Sequence, residues 1–520
     1  MRRRRSARAL LAAAAATAAT AALLSGCTSD DHKKDDPTAP KPGTLRVLAS
    51  SELSDMTAVF DRVRKDTGIT IRPTYMGTLD AVDLLARGKA DGAYDALWLS
   101  SDDYLRLRPD AAKKVVSETP VMSSPVAIGV RPATVKALGW KPEQVTWGQI
   151  EQAVQDGRLT YGMTDPARSN SGFSTLISVA SALSGAQSAL TDADVAKATP
   201  RLKEFFKGQK LTSGSSGWLA TAYKRRGTVD ALLNYESVLK GVPGLTVIRP
   251  GDGVVTADYP LSSLASTSAG TREDVRRVTE DLRTDAVQKL ITDTTHRRPV
   301  VASVPPAAGL DTGRRRELPF PGSRSVADGL LSSYENELRR PSRTVYVLDT
   351  SGSMAGERLT ALKTALTGLT GDFRDREEVT LMPFGSTVKS VRTHVVDPKD
   401  PKAGLAAIRQ DTDGLTADGG TAIYTSLEKA YDHLGGGKDT FTSIVLMTDG
   451  ENTAGVDAGD FDGFYRSLTG IRRDTPVFPI LFGDSSRTEL QHIADLTGGR
   501  LFDAQQGSLD GAFEEIRGYQ

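Results

Sequence analysis

The sequence predicts an α/β protein built from parallel sheets in two successive modules. Three observations carry this. From Thr44 onward, short apolar runs alternate with amphipathic helical stretches in a repeated βαβ pattern. Small hydroxyl residues or an aspartate follow the strands, and open α/β sheets bind ligands at their strand carboxyl ends. A Pro-, Gly- and Arg-rich stretch from Gly309 to Ser325 divides the pattern in two and reads as a linker.

In the first module, Leu45, Val47 and Leu48 form a buried strand that ends at Ser50-Ser51. Met56, Val59, Phe60 and Val63 then recur at helical spacing, and Gly68 stops that helix. Ile69 to Tyr75 reads as a strand, followed by Gly77-Thr78 and a helix carrying Leu79, Val82 and Leu85. Ala96 to Leu99 is the next strand and ends in Ser100-Ser101. Farther on, Ser169-Asn170-Ser171-Gly172 precedes the apolar run Phe173 to Leu183. That places small polar groups at a helix N-terminus, where free N–H groups favour negative charge. Capping alone also accounts for that segment. Val326 to Leu338, after the junction, is helical with Leu330, Leu331 and Tyr334 on one face.

In the second module, Thr344 to Leu348 is a strand delivering Asp349. Leu359, Leu362, Leu366, Leu369 and Phe373 form the buried stripe of the next helix. Val379 to Phe384 is a strand, and Val388 to Val396 alternates like an antiparallel edge. Ile423 to Leu434 is a helix that follows Thr421. Ser443 to Thr448 is a central strand delivering Asp449, Val477 to Phe482 lies beside it, and Leu501-Phe502 closes the edge. This is a doubly wound sheet with helices on both faces.

Composition bounds the function classes. The chain has 520 residues, 39% hydrophobic and 25% charged, so more than one core and little disorder are expected. Formal net charge is zero, yet Arg2, Arg3, Arg4, Arg5 and Arg8 are the sole charges before Cys27. Without them, 60 basic side chains face 65 acidic ones, and this balance gives no electrostatic case for nucleic acid. Cys27 is the one cysteine, so neither an intrachain disulfide nor a thiolate cluster can form.

The basic N-terminus is followed by the uncharged run Ala9 to Leu24, shorter than the ~20 residues that span a bilayer. It reads as a signal segment. Leu24-Ser25-Gly26-Cys27 resembles the lipobox of bacterial lipoproteins. The resemblance implies cleavage before Cys27 and lipid on its sulfur. Thr28 to Gly43 is then a solvated tether, and the protein is membrane-anchored and extracytoplasmic rather than spanning.

Two larger resemblances organise the rest. Residues 44–310 resemble type II extracellular solute-binding proteins. The stretches that carry this include Leu45 to Ser51, Tyr75 to Leu79, Ala96 to Ser101, Ser123 to Val126, Thr164 to Gly172 and Asn234 to Ser237. The resemblance implies a periplasmic-binding-protein-like II fold, with two α/β lobes joined near Ser124–Val130 and Asp258–Ser262. A small polar or anionic solute would sit in the cleft. Its candidate contacts are Ser50, Ser51, Gly77, Thr78, Ser100, Ser101, Ser123, Ser124, Ser169, Asn170, Ser171 and Tyr235.

Asp349-x-Ser351-x-Ser353, Thr421 and Asp449 are oxygen donors suited to a hard divalent cation: Mg²⁺, or Mn²⁺ or Ca²⁺. No base or nucleophile stands beside them. They resemble the metal-ion-dependent adhesion site of the von Willebrand factor type A domain, which the stretch 343–520 resembles as a whole, with its Rossmann-like sheet. The resemblance implies that the three hydroxyls bind the metal directly or through water. The two aspartates hold waters and supply charge. A protein partner would offer an Asp or Glu carboxylate.

The expected divisions are a signal peptide (1–26), a lipidated tether (27–43), a solute-binding module (44–310), a linker with a connecting helix (311–342) and the type A domain (343–520). The expected function is that of an anchored binding lipoprotein joining solute capture to metal-dependent adhesion or scaffolding. The alternative is the solute-binding component of an ABC-type uptake system with a docking accessory. An enzyme is not expected, because His-Glu-x-x-His, Gly-x-Ser-x-Gly and phosphate-loop patterns are all missing from the sequence.

Overall fold

The computed structural model describes residues 43–369, 377–397, 400–435, 440–505 and 509–519. The signal segment, Cys27 and the tether up to residue 42 lie outside the described residues, as does Phe373.

Seventeen strands form three sheets among the described residues. In the first module they are β1 (Thr44–Ser50), β2 (Thr70–Met76), β3 (Ala96–Trp98), β4 (Val115–Pro120), β5 (Ser124–Val130) and β6 (Tyr161–Thr164). They continue with β7 (Gln209–Ser213), β8 (Ala231–Tyr235), β9 (Thr246–Ile248), β10 (Thr256–Ala257) and β11 (Pro260–Leu264). The first sheet runs β2-β1-β3-β11-β4, and the second runs β10-β5-β8-β6-β7 with β9 on β5. Each sheet is the floor of one lobe.

The chain passes from the first sheet to the second at Val121–Ser123 and returns at Asp258–Tyr259. The second crossing falls in the expected stretch. The first comes just before the expected Ser124–Val130, which is itself β5, buried along its whole length in the second sheet. An apolar run of that kind is a core strand, and the polar residue before it makes the turn.

Local chemistry explains the elements that hold the cleft. The helix Thr57–Thr67 buries Val59 and Val63 and ends at Gly68, whose φ of 73° gives the left-handed cap. The helix Thr78–Ala86 starts directly after β2, and the helix Asn170–Ser184 follows the loop after β6, so both N-termini face the strand ends.

The second module holds β12 (Ser342–Asp349), β13 (Glu377–Phe384), β14 (Arg392–Val396), β15 (Phe441–Thr448), β16 (Val477–Leu481) and β17 (Phe502–Asp503). Their order is β14-β13-β12-β15-β16-β17, parallel except for the antiparallel edge β14. β12 and β15 are neighbours, with Leu348 opposite Met447, so the residues just beyond them meet at one sheet edge. The helix Glu357–Leu369 lays Leu362, Leu366 and Leu369 into the core.

The Pro-, Gly- and Arg-rich junction is not a free linker. Val254 donates to the Arg316 carbonyl at 2.9 Å, Leu318 to Val254 at 2.8 Å and Leu190 to Phe320 at 3.0 Å. Phe320 packs edge-on against Phe173 with centroids 5.7 Å apart. The helix Arg324–Ser333 and the turn after it bring Tyr334 against Phe206 at 5.2 Å, with its hydroxyl on Gln209 at 3.1 Å. The core of the first module therefore extends through Leu338. Prolines and glycines suit a loop, but the backbone groups and aromatics between them satisfy themselves on the second lobe.

The two modules also share a seam. Trp218 of the second lobe meets Tyr519 with centroids 4.9 Å apart, and Gly214 lies against Gly518 so closely that a Cβ on Gly518 would sit 2.9 Å from the Gly214 Cα. Arg225 pairs with Asp495 at 2.7 Å across the same boundary.

Candidate metal centre and solute cleft

Three loops at one sheet edge gather Asp349, Ser351, Ser353, Thr421 and Asp449. Asp349, fully buried at the end of β12, accepts from the Ser351 amide at 2.8 Å and from the Thr448 hydroxyl at 2.6 Å. Burial pushes its carboxyl up, and these hydrogen bonds oppose that shift. The Ser351 and Ser353 hydroxyls are 3.0 Å apart, and Ser353 donates to Asp449 Oδ1 at 2.8 Å. A Cβ built on Gly450 would lie 3.9 Å from Thr421 Oγ1 and 4.0 Å from Ser353 Oγ, so both hydroxyls face the same small residue.

The loop before Thr421 is fixed by its backbone. Asp418 donates to the Thr350 carbonyl at 2.9 Å, and Gly352 donates to Gly419 at 2.9 Å. Gly419 holds a φ of 78°, a conformation open to glycine. The Thr421 amide donates to Thr453 Oγ1 at 2.9 Å, and its carbonyl accepts from the Thr453 amide at 2.8 Å.

The donor set is two carboxylates and three hydroxyls. Such oxygens fit a hard divalent cation and not a thiophilic one. Among the described residues, no group of three or more His, Cys, Asp or Glu side chains is placed to hold a metal, so hydroxyls have to complete any such site here.

Sequence reasoning missed Arg358. It sits in the first turn of the helix Glu357–Leu369 and pairs with Asp449 Oδ2 at 2.5 Å and with Asp484 Oδ2 at 2.6 Å. Asp484 is the outer anchor of this bridge. The Gly-Glu-Arg spacing after Ser353 carried no signal beyond an amphipathic helix start.

In the cleft, the candidate residues fall into separate groups. Ser50 lies 3.1 Å from both Thr78 and Ser100 through their hydroxyls, on the first lobe. On the second lobe, Ser171 links Ser169 at 3.1 Å, Thr164 at 2.8 Å and Ser216 at 2.9 Å. Asn170 donates to the Tyr235 hydroxyl at 2.8 Å, and Ser174 lies 3.2 Å from it.

Other candidates do different work. Ser101 caps the turn at Asp103, with the amide 3.1 Å from its hydroxyl. Ser124 accepts from the Ser237 amide at 3.0 Å, and Ser123 pairs through its backbone with Arg298. Both sit at the crossing between the lobes. Ser51 and Gly77 line a cavity of about 730 Å³ with Arg168, Arg500 and Glu515, where both lobes meet the second module.

Further cleft groups were not anticipated. Glu52 is buried with its carboxyl 3.4 Å from Ser216, so a side chain of the first lobe reaches the second. Burial pushes this carboxyl up. Arg297, fully buried, holds Asp55 at 2.8 Å and the Glu52 carbonyl at 2.7 Å, and its guanidinium lies 4.9 Å from the centre of the Tyr259 ring. Tyr259 takes a φ of 44° at the return crossing, a strained position for an aromatic residue. Sequence spacing shows none of this, because the partners come from segments far apart in the chain.

Comparison with known proteins matches two family models in the same order. Residues 45–294 match the bacterial extracellular solute-binding protein model, and residues 344–451 match the von Willebrand factor type A domain model. The chain joins a bacterial solute-binding domain to a von Willebrand factor type A domain. A Synechocystis protein, the uncharacterized protein sll0103, is 34% identical over 122 residues, covering 23% of this chain and 28% of that one. The bovine inter-alpha-trypsin inhibitor heavy chain H1 is 26% identical over 197 residues, covering 35% of this chain and 21% of that one. The chain thus spans less than a third of either curated relative. Among solved structures, the periplasmic binding protein P5PA aligns with a TM-score of 0.44 and 14% identity, covering 57% of this chain and all of that one.

Proposed function

We propose that this chain is an extracytoplasmic binding protein with two recognition modules, anchored by lipid on Cys27. The solute-binding module captures a small polar solute between its lobes. The type A domain grips a protein partner through a divalent cation, Mg²⁺ or Mn²⁺. The observation that carries the reading is the gathering of Ser351, Ser353, Thr421, Asp349 and Asp449 at adjoining strand ends.

Ser351, Ser353 and Thr421 would hold the cation with their hydroxyls, and Asp349 and Asp449 would supply the charge. A hard cation with one open position supplies a grip for a carboxylate offered from outside. Asp349 keeps its own place through Ser351 and Thr448, so its charge is directed without a mobile side chain. The alternative, delivery of solute to a membrane permease, draws on the same lobes and makes the type A domain a docking accessory.

The test is capture of extracellular proteins from the source organism on immobilised full chain. With Mg²⁺, a partner is retained; with chelator, or with Asp349→Ala, it is released. Equal retention under all three conditions discards the metal-dependent reading. A thermal-shift screen of solutes on the full chain tests the cleft, since a ligand of the folded state must raise its midpoint.

A further inference from the structure

The two oxygens of Asp449 face different partners. Oδ1 accepts from Ser353 at 2.8 Å, while Oδ2 takes the Arg358 guanidinium at 2.5 Å. The other arm of Arg358 reaches Asp484 at 2.6 Å. The side chain of Asp449 is fully buried, that of Arg358 is 35% exposed and that of Asp484 is 85% exposed. The guanidinium therefore runs from the inside of the candidate metal centre out to solvent.

The loop after β16 is shaped to keep this bridge closed. Asp484 donates its amide to the Asp449 carbonyl at 3.0 Å. Gly483 holds a φ of 56°, and a Cβ there would lie 2.8 Å from the Asp449 Cβ and 3.4 Å from the Arg358 Cζ. Any side chain at 483 would push the loop off the clamp.

Resting on the metal reading above, we propose that Arg358 is a resident counter-cation that competes with the divalent ion for Asp449. It neutralises the buried carboxylate when the site is free. It also stands as a like charge beside the cation when the site is filled. Both effects have one sign. Without Arg358, the free site keeps an uncompensated buried charge, and the filled site loses a repulsion. Arg358 thereby sets the divalent concentration at which the domain becomes competent to hold a partner. Asp484 tunes it from outside by sharing the guanidinium.

A structural brace would behave differently. Removing a brace loosens the loops and weakens binding, whichever end of the bridge is cut. A competitor gives opposite signs: loss of Arg358 tightens the site, whereas loss of Asp484 leaves the guanidinium wholly to Asp449 and loosens it.

The experiment is calorimetric titration of the full chain with Mg²⁺, with bound Mn²⁺ counted by electron paramagnetic resonance. Arg358→Gln is expected to tighten Mg²⁺ about tenfold, equal to about 1.4 kcal/mol. Arg358→Lys, which keeps the charge, is expected to stay within about threefold of the parent, and Asp484→Asn to weaken binding by a similar factor. Unchanged or weaker binding in Arg358→Gln overturns the inference. Should that variant fail to fold, Arg358→Met decides, because a lost brace weakens binding there and a lost competitor tightens it: tighter Mg²⁺ binding supports competition, and unchanged or weaker binding overturns it. A parent chain that takes up neither ion overturns the metal reading itself, and this inference with it.

Discussion

The ring of Trp218 stands edge-on to that of Tyr519, 85° between planes and 4.9 Å between centroids, with 301 positions of sequence separating them. One comes from the second lobe of the solute-binding module, the other from the last turn of the type A domain. Phe478 and Phe502 complete the cluster around Tyr519 at 5.9 and 5.4 Å. The type A domain is thereby packed against the second lobe rather than hung from a string.

Tyr519→Ala is expected to destabilise the chain by ~3 kcal/mol, the usual cost of emptying an aromatic site in a packed core. Denaturant unfolding followed by tryptophan fluorescence reads this, since Trp218 reports the seam. An unchanged midpoint would contradict the packing described.

Arg517 and Glu377 form a buried pair, 2.6 and 2.9 Å apart through two hydrogen bonds. Arg517→Ala leaves a buried carboxylate without its cation and is expected to cost ~4 kcal/mol. Replacing both residues together, Arg517→Met with Glu377→Leu, is expected to restore most of that loss. Equal destabilisation of single and double variants in thermal unfolding would argue against a charge-pair origin.

The lobes meet tightly at Gly77, where a Cβ would lie 2.2 Å from the Arg168 carbonyl. Its own φ of −63° suits any residue, so the contact alone forbids a side chain. Gly77→Ala is expected to prop the lobes apart without unfolding either. Small-angle scattering would show a larger radius of gyration, and a profile identical to the parent would refute the close approach.

Stability should fall as pH rises through the range of two buried carboxyls. Burial pushes Asp102 up to about 7 and Asp258 up to about 6, each above the ~4 of an unfolded chain. Between those limits the unfolded chain ionises first, so it binds fewer protons than the folded one and stability declines with pH. Asp102→Asn removes the penalty and keeps the size. It is expected to stabilise the chain at pH 8 by on the order of 2 kcal/mol, with little effect at pH 4. A gain that is the same at both pH values would show that ionisation is not the cause.

Much of this architecture was legible because its periods are strong. The apolar runs ending at Ser50, Asp349 and Asp449 are short, β-branched and followed by small or acidic residues. Each became a strand with those residues at its carboxyl end. The metal-site candidates were legible for the same reason, since residue type and strand-end position together place them at one edge. Arg358 was not, because a basic residue in a first helical turn looks like any solvated side chain. Nor was Glu52, which reads as an ordinary acid at a helix start until the second lobe covers it. The junction misled because Pro and Gly report local backbone and say nothing of what Phe320 and Leu318 pack against. Contacts between residues hundreds of positions apart leave no periodic trace.

The most direct measurement is the number of Mn²⁺ ions held per chain, counted by native mass spectrometry on the parent and on Asp349→Ala with Asp449→Ala. The account predicts one ion on the parent type A domain and none on the double variant. It also predicts that Mg²⁺ displaces the ion. A parent chain that carries no ion at millimolar Mn²⁺, or a double variant that carries as many as the parent, would contradict it.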